Sequence, residues 1–352
     1  MICYMMKVFV TIVLVILATF YGLNSQENDV TLTEVSTDDI SGASIWLYAV
    51  PDDEGRIAFS AENNGKLLGG FSDEENSEME PDWQTLVSKN DIDGASIADH
   101  WHIFARGSHW IVLSTAEADT AYLLKLDREL NRIALERVVD KVELTDEDRA
   151  NLNNPEDEST QVIPTNDMFL VEDGDGVTAG FFLPGVGHRL YRFDENLALI
   201  ETIDIGKNWR HSNGASALQS EDKFIVLAPE HMSMSQEGVA SLLTYDSDWN
   251  FLSGQVLIEE DGINIGMPSG VFLEDGSLIV HARVHDTSKS SHGGMIVRYI
   301  FDPDLTLIET EIVKGTSTNS RAHTNLLGDL LFTTWDAMNQ TFLRIDSIST
   351  SQ

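Results

Sequence analysis

Ser269-Gly270-Val271-Phe272-Leu273-Glu274-Asp275-Gly276-Ser277-Leu278-Ile279-Val280-His281-Ala282 reads as two apolar strands folded back on a tight turn. Asp-Gly between apolar runs supplies the positive-φ residue that hairpin turns require. A loop near His285 to Gly294 leads into a third strand, Met295-Ile296-Val297-Arg298-Tyr299, and the run closes on Asp302. After a short turn, Leu307-Ile308-Glu309-Thr310-Glu311-Ile312-Val313 supplies a fourth strand. No helical periodicity of useful length intervenes, so this unit is a four-stranded antiparallel meander.

The third strand of that unit, with its terminal aspartate, recurs along the chain. It appears as Leu67-Leu68-Gly69-Gly70-Phe71-Ser72-Asp73, Tyr122-Leu123-Leu124-Lys125-Leu126-Asp127 and Leu190-Tyr191-Arg192-Phe193-Asp194. It returns as Leu243-Thr244-Tyr245-Asp246, Arg298-Tyr299-Ile300-Phe301-Asp302 and Phe342-Leu343-Arg344-Ile345-Asp346. The aspartates are 54, 67, 52, 56 and 44 residues apart. Self-similarity at such a period marks a repeat architecture. Six sequential four-stranded units predict an all-β fold, a six-bladed β-propeller. The sixth unit runs out after three strands, and Val30-Thr31-Leu32-Thr33-Glu34-Val35 is an alternating β-prone stretch ahead of the first unit. Pairing that N-terminal strand as the outer strand of the last blade closes the ring and removes an open edge. The aspartates read as turn caps, since Asp bonds backbone amides two residues on.

The first 25 residues carry Lys7, an apolar run over 8–20 and a polar boundary at Gly22-Leu23-Asn24-Ser25-Gln26. That pattern predicts a signal peptide over 1–25, the run being short for a span of roughly 20 residues. Residues 26–352 then form a single propeller domain. The expected localisation is secreted or periplasmic, the alternative being a chain held to the membrane by an uncleaved N-terminal segment. The single cysteine, Cys3, falls inside this segment, so disulfides, cysteine nucleophiles and thiolate metal sites are excluded for the mature domain. With 58 Asp+Glu against 22 Lys+Arg the formal charge is -36. Such a chain repels phosphate backbones and anionic lipid, which excludes nucleic-acid binding and polybasic membrane roles. A monomer is expected.

The long interval between Asp127 and Asp194 is read as an acidic inserted loop at about 143–160, solvated or acting as a lid. The acidic run Asp73-Glu74-Glu75-Asn76-Ser77-Glu78-Met79-Glu80 reads as solvated, and Glu172-Asp173-Gly174-Asp175-Gly176 as an ordinary turn lacking the ligand alternation of a calcium loop. No phosphate-binding Gly-rich loop, nucleophile elbow or zinc-binding HExxH helix is present.

In a meander, the two–three loops and the blade-to-blade connections share one face. Of ten histidines, His188, His231, His285 and His292 are assigned to two–three loops, and His100, His102, His211 and His323 to the starts of first strands. First strands line the central channel, so His102, His211 and His323 are expected to approach its mouth from three blades. Arginines accompany two of them, in Trp209-Arg210-His211-Ser212-Asn213 and Ser320-Arg321-Ala322-His323-Thr324-Asn325. Two chemistries are open. Three neutral imidazoles can hold a divalent metal. Alternatively His211 or His323 acts as general base while Arg210 and Arg321 clamp an anionic group. Trp101, Trp209 and Trp335 are placed near the same face, where indoles either stack on sugar rings or pack between blades.

Across residues 30–350 the pattern resembles the six-bladed β-propeller superfamily. Blades opening with His and closing in hydrophobic-Asp-x-x-Leu are similar to arylsulfotransferase-like repeats, where channel histidines and arginines handle a sulfuryl group. That resemblance implies such a role for Arg210, His211, Arg321 and His323. The expected function is binding of a small molecule, glycan or protein at a His-rich channel face, through His102, Trp209, Arg210, His211, Arg321 and His323. The alternative is a transferase, hydrolase or lyase acting on a sulfated or carboxylated substrate at the channel mouth, and a third reading is a purely structural surface protein.

Overall fold

The computed structural model describes residues 32–35, 47–72, 78–79, 81–116, 120–139, 142–150, 161–162, 168–183, 187–206, 214–220, 222–230, 238–260, 263–286, 294–316, 322–337 and 340–348. The chain divides into two units, Met1–Leu32 and Thr33–Gln352, and the first lies outside the described residues except for Leu32.

The second unit is built of six four-stranded antiparallel sheets in sequence order. Blade 1 runs from its inner strand Leu47–Pro51 through Ile57–Asn63 and Lys66–Ser72 to Gln84–Val87. Blade 2 comprises Ile97–Ala105, His109–Ala116, Thr120–Leu126 and Arg132–Val139. Blade 3 comprises Met168–Asp173, Gly176–Leu183, Gly187–Phe193 and Leu199–Gly206. Blade 4 comprises Ser216–Ser220, Lys223–Glu230, Gly238–Tyr245 and Phe251–Glu260. Blade 5 comprises Ile263–Phe272, Leu278–Asp286, Gly294–Phe301 and Leu307–Thr316. Blade 6 takes Ala322–Leu327, Leu330–Ala337 and Gln340–Ser347, and its fourth strand is Leu32–Val35 from the far end of the chain. The chain is a six-bladed β-propeller closed by its N-terminal strand.

The recurrent aspartates work as the local sequence requires. Asp127 Oδ1 accepts from the amides of Glu129 and Asn131 at 3.0 and 2.8 Å. Asp194 accepts from Asn196 and Ala198, and Asp246 from Asp248 and Asn250. Three residues after each of these, Leu130, Leu197 and Trp249 hold φ of 63°, 64° and 61°. Apolar residues rarely accept that left-handed conformation, which costs roughly 1–2 kcal/mol without glycine. Here all three side chains are buried between blades, and burial worth about 1.5–3 kcal/mol offsets the strain.

Asp346 departs from this reading. It pairs with Arg344 and Arg298 instead of capping a turn, because the chain makes no turn into a fourth strand there. Asp73 lies outside the described residues. The acidic run that begins there is also not wholly solvated loop: Glu78–Met79 pairs in parallel with Leu32–Val35, covering the free edge of the short closing strand.

Apolar clusters join neighbouring blades. Val50 and Leu67 meet Trp110 and Leu124 between blades 1 and 2. Leu113 and Leu123 meet Phe181 and Phe193 between blades 2 and 3, and Phe169 meets Phe224 and Trp249 between blades 3 and 4. Leu227 and Leu242 meet Val280 and Phe301, and Phe59 meets Phe332 and Leu343 where blade 6 closes on blade 1. On the face of the one–two and three–four turns, cationic side chains reach the next blade's carbonyls: Arg56 to Arg128 at 3.3 Å, Lys125 to Glu195 at 2.6 Å and Arg192 to Ser247 at 3.0 Å.

Between blades 2 and 3, Val142–Glu143 pairs with Gln161–Val162, and the short helix Asp146–Ala150 follows Thr145. Thr145 Oγ1 accepts from the Asp148 amide at 3.2 Å while Asp148 accepts from the Thr145 amide at 3.0 Å, a reciprocal cap. Leu144 anchors the segment against Leu183 of blade 3. Residues 151–160 lie outside the described residues. Among the described residues no helix is long and apolar enough to cross a membrane.

Candidate functional site

Inner strands of five blades converge on one small recess. Trp101 enters from blade 2, Met168 from the first position of blade 3, and Ala322 with His323 from the start of blade 6. Gly214 and Ala215 precede the inner strand of blade 4, and Met267, Pro268 and Ser269 come from blade 5.

Aromatic rings close the wall toward blade 1. The Tyr48 ring lies 3.8 Å from the His323 ring, 4.7 Å from His100 and 5.6 Å from Trp101. Trp101 meets His323 edge-on at 4.9 Å. His323 is therefore held by rings from two other blades.

Blade 5 contributes a local distortion. Gly266 pairs with Arg283 and Ser269 with His281, so Met267 and Pro268 together face the single residue Ala282 across the ladder. Proline has no amide to give to the ladder, which makes a bulge its natural place in a strand. Met267 takes up the bulge at φ 52° and is directed over Gly214. Gly214, itself at φ 81°, leaves the needed room, since a Cβ there would come within 2.8 Å of Met267 Cγ. Bulges commonly re-aim a side chain beside a functional site.

Ser269 connects the recess to a buried polar row. Its Oγ accepts from the Thr324 amide at 3.1 Å, and Thr324 Oγ1 lies 2.9 Å from His281 Nδ1. Burial drives the His281 imidazole well below its usual range, and the guanidiniums of Arg298 and Arg344 push the same way.

His102 goes elsewhere. Its Nδ1 lies 3.1 Å from Ser60 Oγ of blade 1, and its ring packs 5.0 Å from Trp110. Burial, assisted by His100, lowers its pKa to about 3. Of the other assigned histidines, His188 lies inside Gly187–Phe193 and His285 inside Leu278–Asp286, not in loops, because pairing continues to His188↔Gly206 and His285↔Gly294. Burial also pushes His188 well below its usual range. Trp335 takes the packing reading of the two: at 1 % exposure it fills the layer behind the inner strand, opposite Ala322 in the ladder, and offers no stacking face. Trp209, Arg210, His211, His231, His292 and Arg321 lie outside the described residues.

Among the described residues no cluster of three or more His, Cys, Asp or Glu side chains is placed to hold a metal. Tyr48, Met168 and Met267 were not anticipated at the site. Pro268 inside an otherwise apolar strand was the available signal for the bulge.

No family model and no curated protein matches the chain. Solved structures share its architecture at low identity. A member of the DUF4221 family from Bacteroides vulgatus is 9% identical over 90% of this chain and 96% of its own, with a TM-score of 0.49. A luciferin-regenerating enzyme is 10% identical over 90% and 95%, with a TM-score of 0.49. The SapL1 lectin in complex with alpha methyl fucoside is 9% identical over 84% and 89%, with a TM-score of 0.48. At these identities the likeness is one of fold alone.

Proposed function

We propose that this protein is an exported propeller that binds a small ligand in the axial recess, on the face where the blade connections meet. The observation that carries the reading is the convergence of Trp101 and His323 from different blades over one cavity, backed by Tyr48. Concave sites with aromatic walls and a few polar groups are the usual form of a small-ligand site. His211 and Asn213 lead directly into Gly214, and Arg321 directly into Ala322, so the two arginine-histidine segments are tied in sequence to the recess wall. In this reading Trp209, Arg210, His211 and Arg321, which lie outside the described residues, are further candidates for the ligand, and His102 acts as a blade-to-blade bond.

The test is a calorimetric and tryptophan-fluorescence screen of sulfated sugars, uronic-acid sugars and metal ions against the wild type, Trp101→Ala and His323→Ala. The expected result is one saturable ligand class whose binding falls at least about 10-fold in both variants while their melting stays cooperative. Binding that both folded variants retain in full, or no binding across the screen, removes the proposal.

A further inference from the structure

The recess carries an unusual donor set. Two thioethers, Met168 and Met267, and one imidazole, His323, line the same small cavity, with the Trp101 indole beside them. Among the described residues no carboxylate lines it, and the remaining wall is Gly214, Ala215, Pro268, Ser269 and Ala322. Calcium and magnesium ask for six or more oxygens, and structural zinc for thiolate, imidazole or carboxylate donors. Neither requirement is met by one hydroxyl and one imidazole. Thioether sulfur is a soft, polarizable donor that selects monovalent copper.

The position of Met267 strengthens this chemistry. A methionine at φ 52° in a two-residue bulge, over a glycine whose missing Cβ makes its space, is a conformation the surroundings must enforce. Residues held in such sparsely populated regions cluster at ligand clamps. An ordinary core methionine needs neither the bulge nor Gly214. The strongly acidic chain, at -36, also draws cations toward its surface.

We infer that the axial recess is a site for a soft monovalent metal ion, copper(I), held by the sulfurs of Met168 and Met267 and a ring nitrogen of His323, with Trp101 as a flanking aromatic wall. The inference rests on the recess being the ligand site and names its ligand class. No redox step is involved, since the ion enters and leaves as copper(I).

Silver(I), an air-stable analogue, is the probe. The full chain with Cys3→Ser, which removes the single thiol, is titrated with silver nitrate in a chloride-free buffer. Tryptophan fluorescence is read in that titration and in a separate anaerobic titration with copper(I) supplied as its acetonitrile complex, without added reductant. Expected are one tight site for silver(I) and for copper(I) that calcium, magnesium and zinc do not fill, and loss of that one site in Met168→Leu/Met267→Leu. Each single Met→Leu variant lowers affinity at least about 10-fold, with melting temperature as the control for folding. Leucine is tolerated at the Met267 conformation, as Leu130 and Leu197 show elsewhere in this chain. Silver binding unchanged in the folded double variant, absence of a tight site, or equal binding of zinc overturns the inference. A sugar that quenches Trp101 while silver finds no site overturns the metal and leaves the ligand-binding reading standing.

Discussion

The boundary between blades 1 and 2 and the boundary between blades 5 and 6 use the same bond in mirror roles. In the first, His102 on an inner strand meets Ser60 on the preceding blade's second strand at 3.1 Å. In the second, the hydroxyl is on the inner strand and the imidazole behind it: Thr324 meets His281 at 2.9 Å. A histidine–hydroxyl pair satisfies two buried polar groups whichever strand carries which, so the position calls for a bond, not for a residue. What surrounds the pair differs. His102 packs on Trp110 within an apolar cluster, whereas the His281 row continues to Arg298, which pairs with Glu311 and Asp346, the same two acids that hold Arg344. An apolar seam makes the bond a small correction to packing. A polar seam makes it one member of a network whose parts depend on one another.

Acidification should separate the two most. The fold keeps His102 neutral down to about pH 3 and lowers His281 and His188 in the same direction. In the unfolded chain a histidine protonates near ~6.5. The stability contributed by each neutral imidazole is therefore whole above ~6.5 and drains as the pH falls toward the folded value, because the unfolded state binds the extra proton. At pH 5 the His102 imidazole accounts for a loss of about 2 kcal/mol. Urea unfolding of wild type and His102→Gln between pH 5 and 8 reads the difference, in which changes in the shared carboxylate repulsion cancel. A wild-type slope no steeper than that of the variant means His102 takes up its proton without unfolding.

Truncation follows in size. His102→Ala is expected to cost about 3 kcal/mol, a cavity beside Trp110 plus an orphaned Ser60 hydroxyl. His281→Ala should cost about 2 kcal/mol, less because Thr324 Oγ1 retains the Ser269 carbonyl at 3.5 Å as a weak partner. Chemical denaturation orders the two, and a reversed order would show that the polar seam is the more tightly coupled one. Removing only the hydroxyl is milder: Ser60→Ala is expected to cost about 1.5 kcal/mol and Thr324→Val about 1 kcal/mol. The double variant Ser60→Ala/Thr324→Val should equal the sum of the singles by melting, since the two boundaries share no partner.

The smallest effect concerns the turns. Gly55, at φ 85° between the first two strands of blade 1, meets nothing within 4 Å of an added Cβ, so Gly55→Ala should lower stability by about 1 kcal/mol from backbone strain alone. Leu197→Gly should still cost more, because the burial it loses outweighs the strain it relieves; a gain in melting temperature would show that strain dominates at that turn.

Much of this was readable in advance where the physics is local. The Asp-x-x-apolar turns need only a side-chain acceptor and a following apolar residue, and they recur at Asp127, Asp194 and Asp246 as the repeat suggested. His323 lies at the start of a first strand, as its segment suggested. His102 shares that kind of strand and yet serves a blade boundary, because alternate residues of a strand face opposite sides and the phase of that alternation depends on register. Trp335 had every composition cue of a stacking platform, but its second-strand place buries it.

Period, turn chemistry and the missing twenty-fourth strand are properties of neighbouring residues, and the linear order of amino acids was enough to draw a closed ring of six blades from them. The company kept by Met168, Met267, Trp101 and His323 is of another kind. Those residues are far apart along the chain, and they line one recess only because ring closure and a one-residue bulge bring their strands to it. Local preferences act through a few bonds; a binding site is an agreement among distant strands, and it exists once packing has set their register.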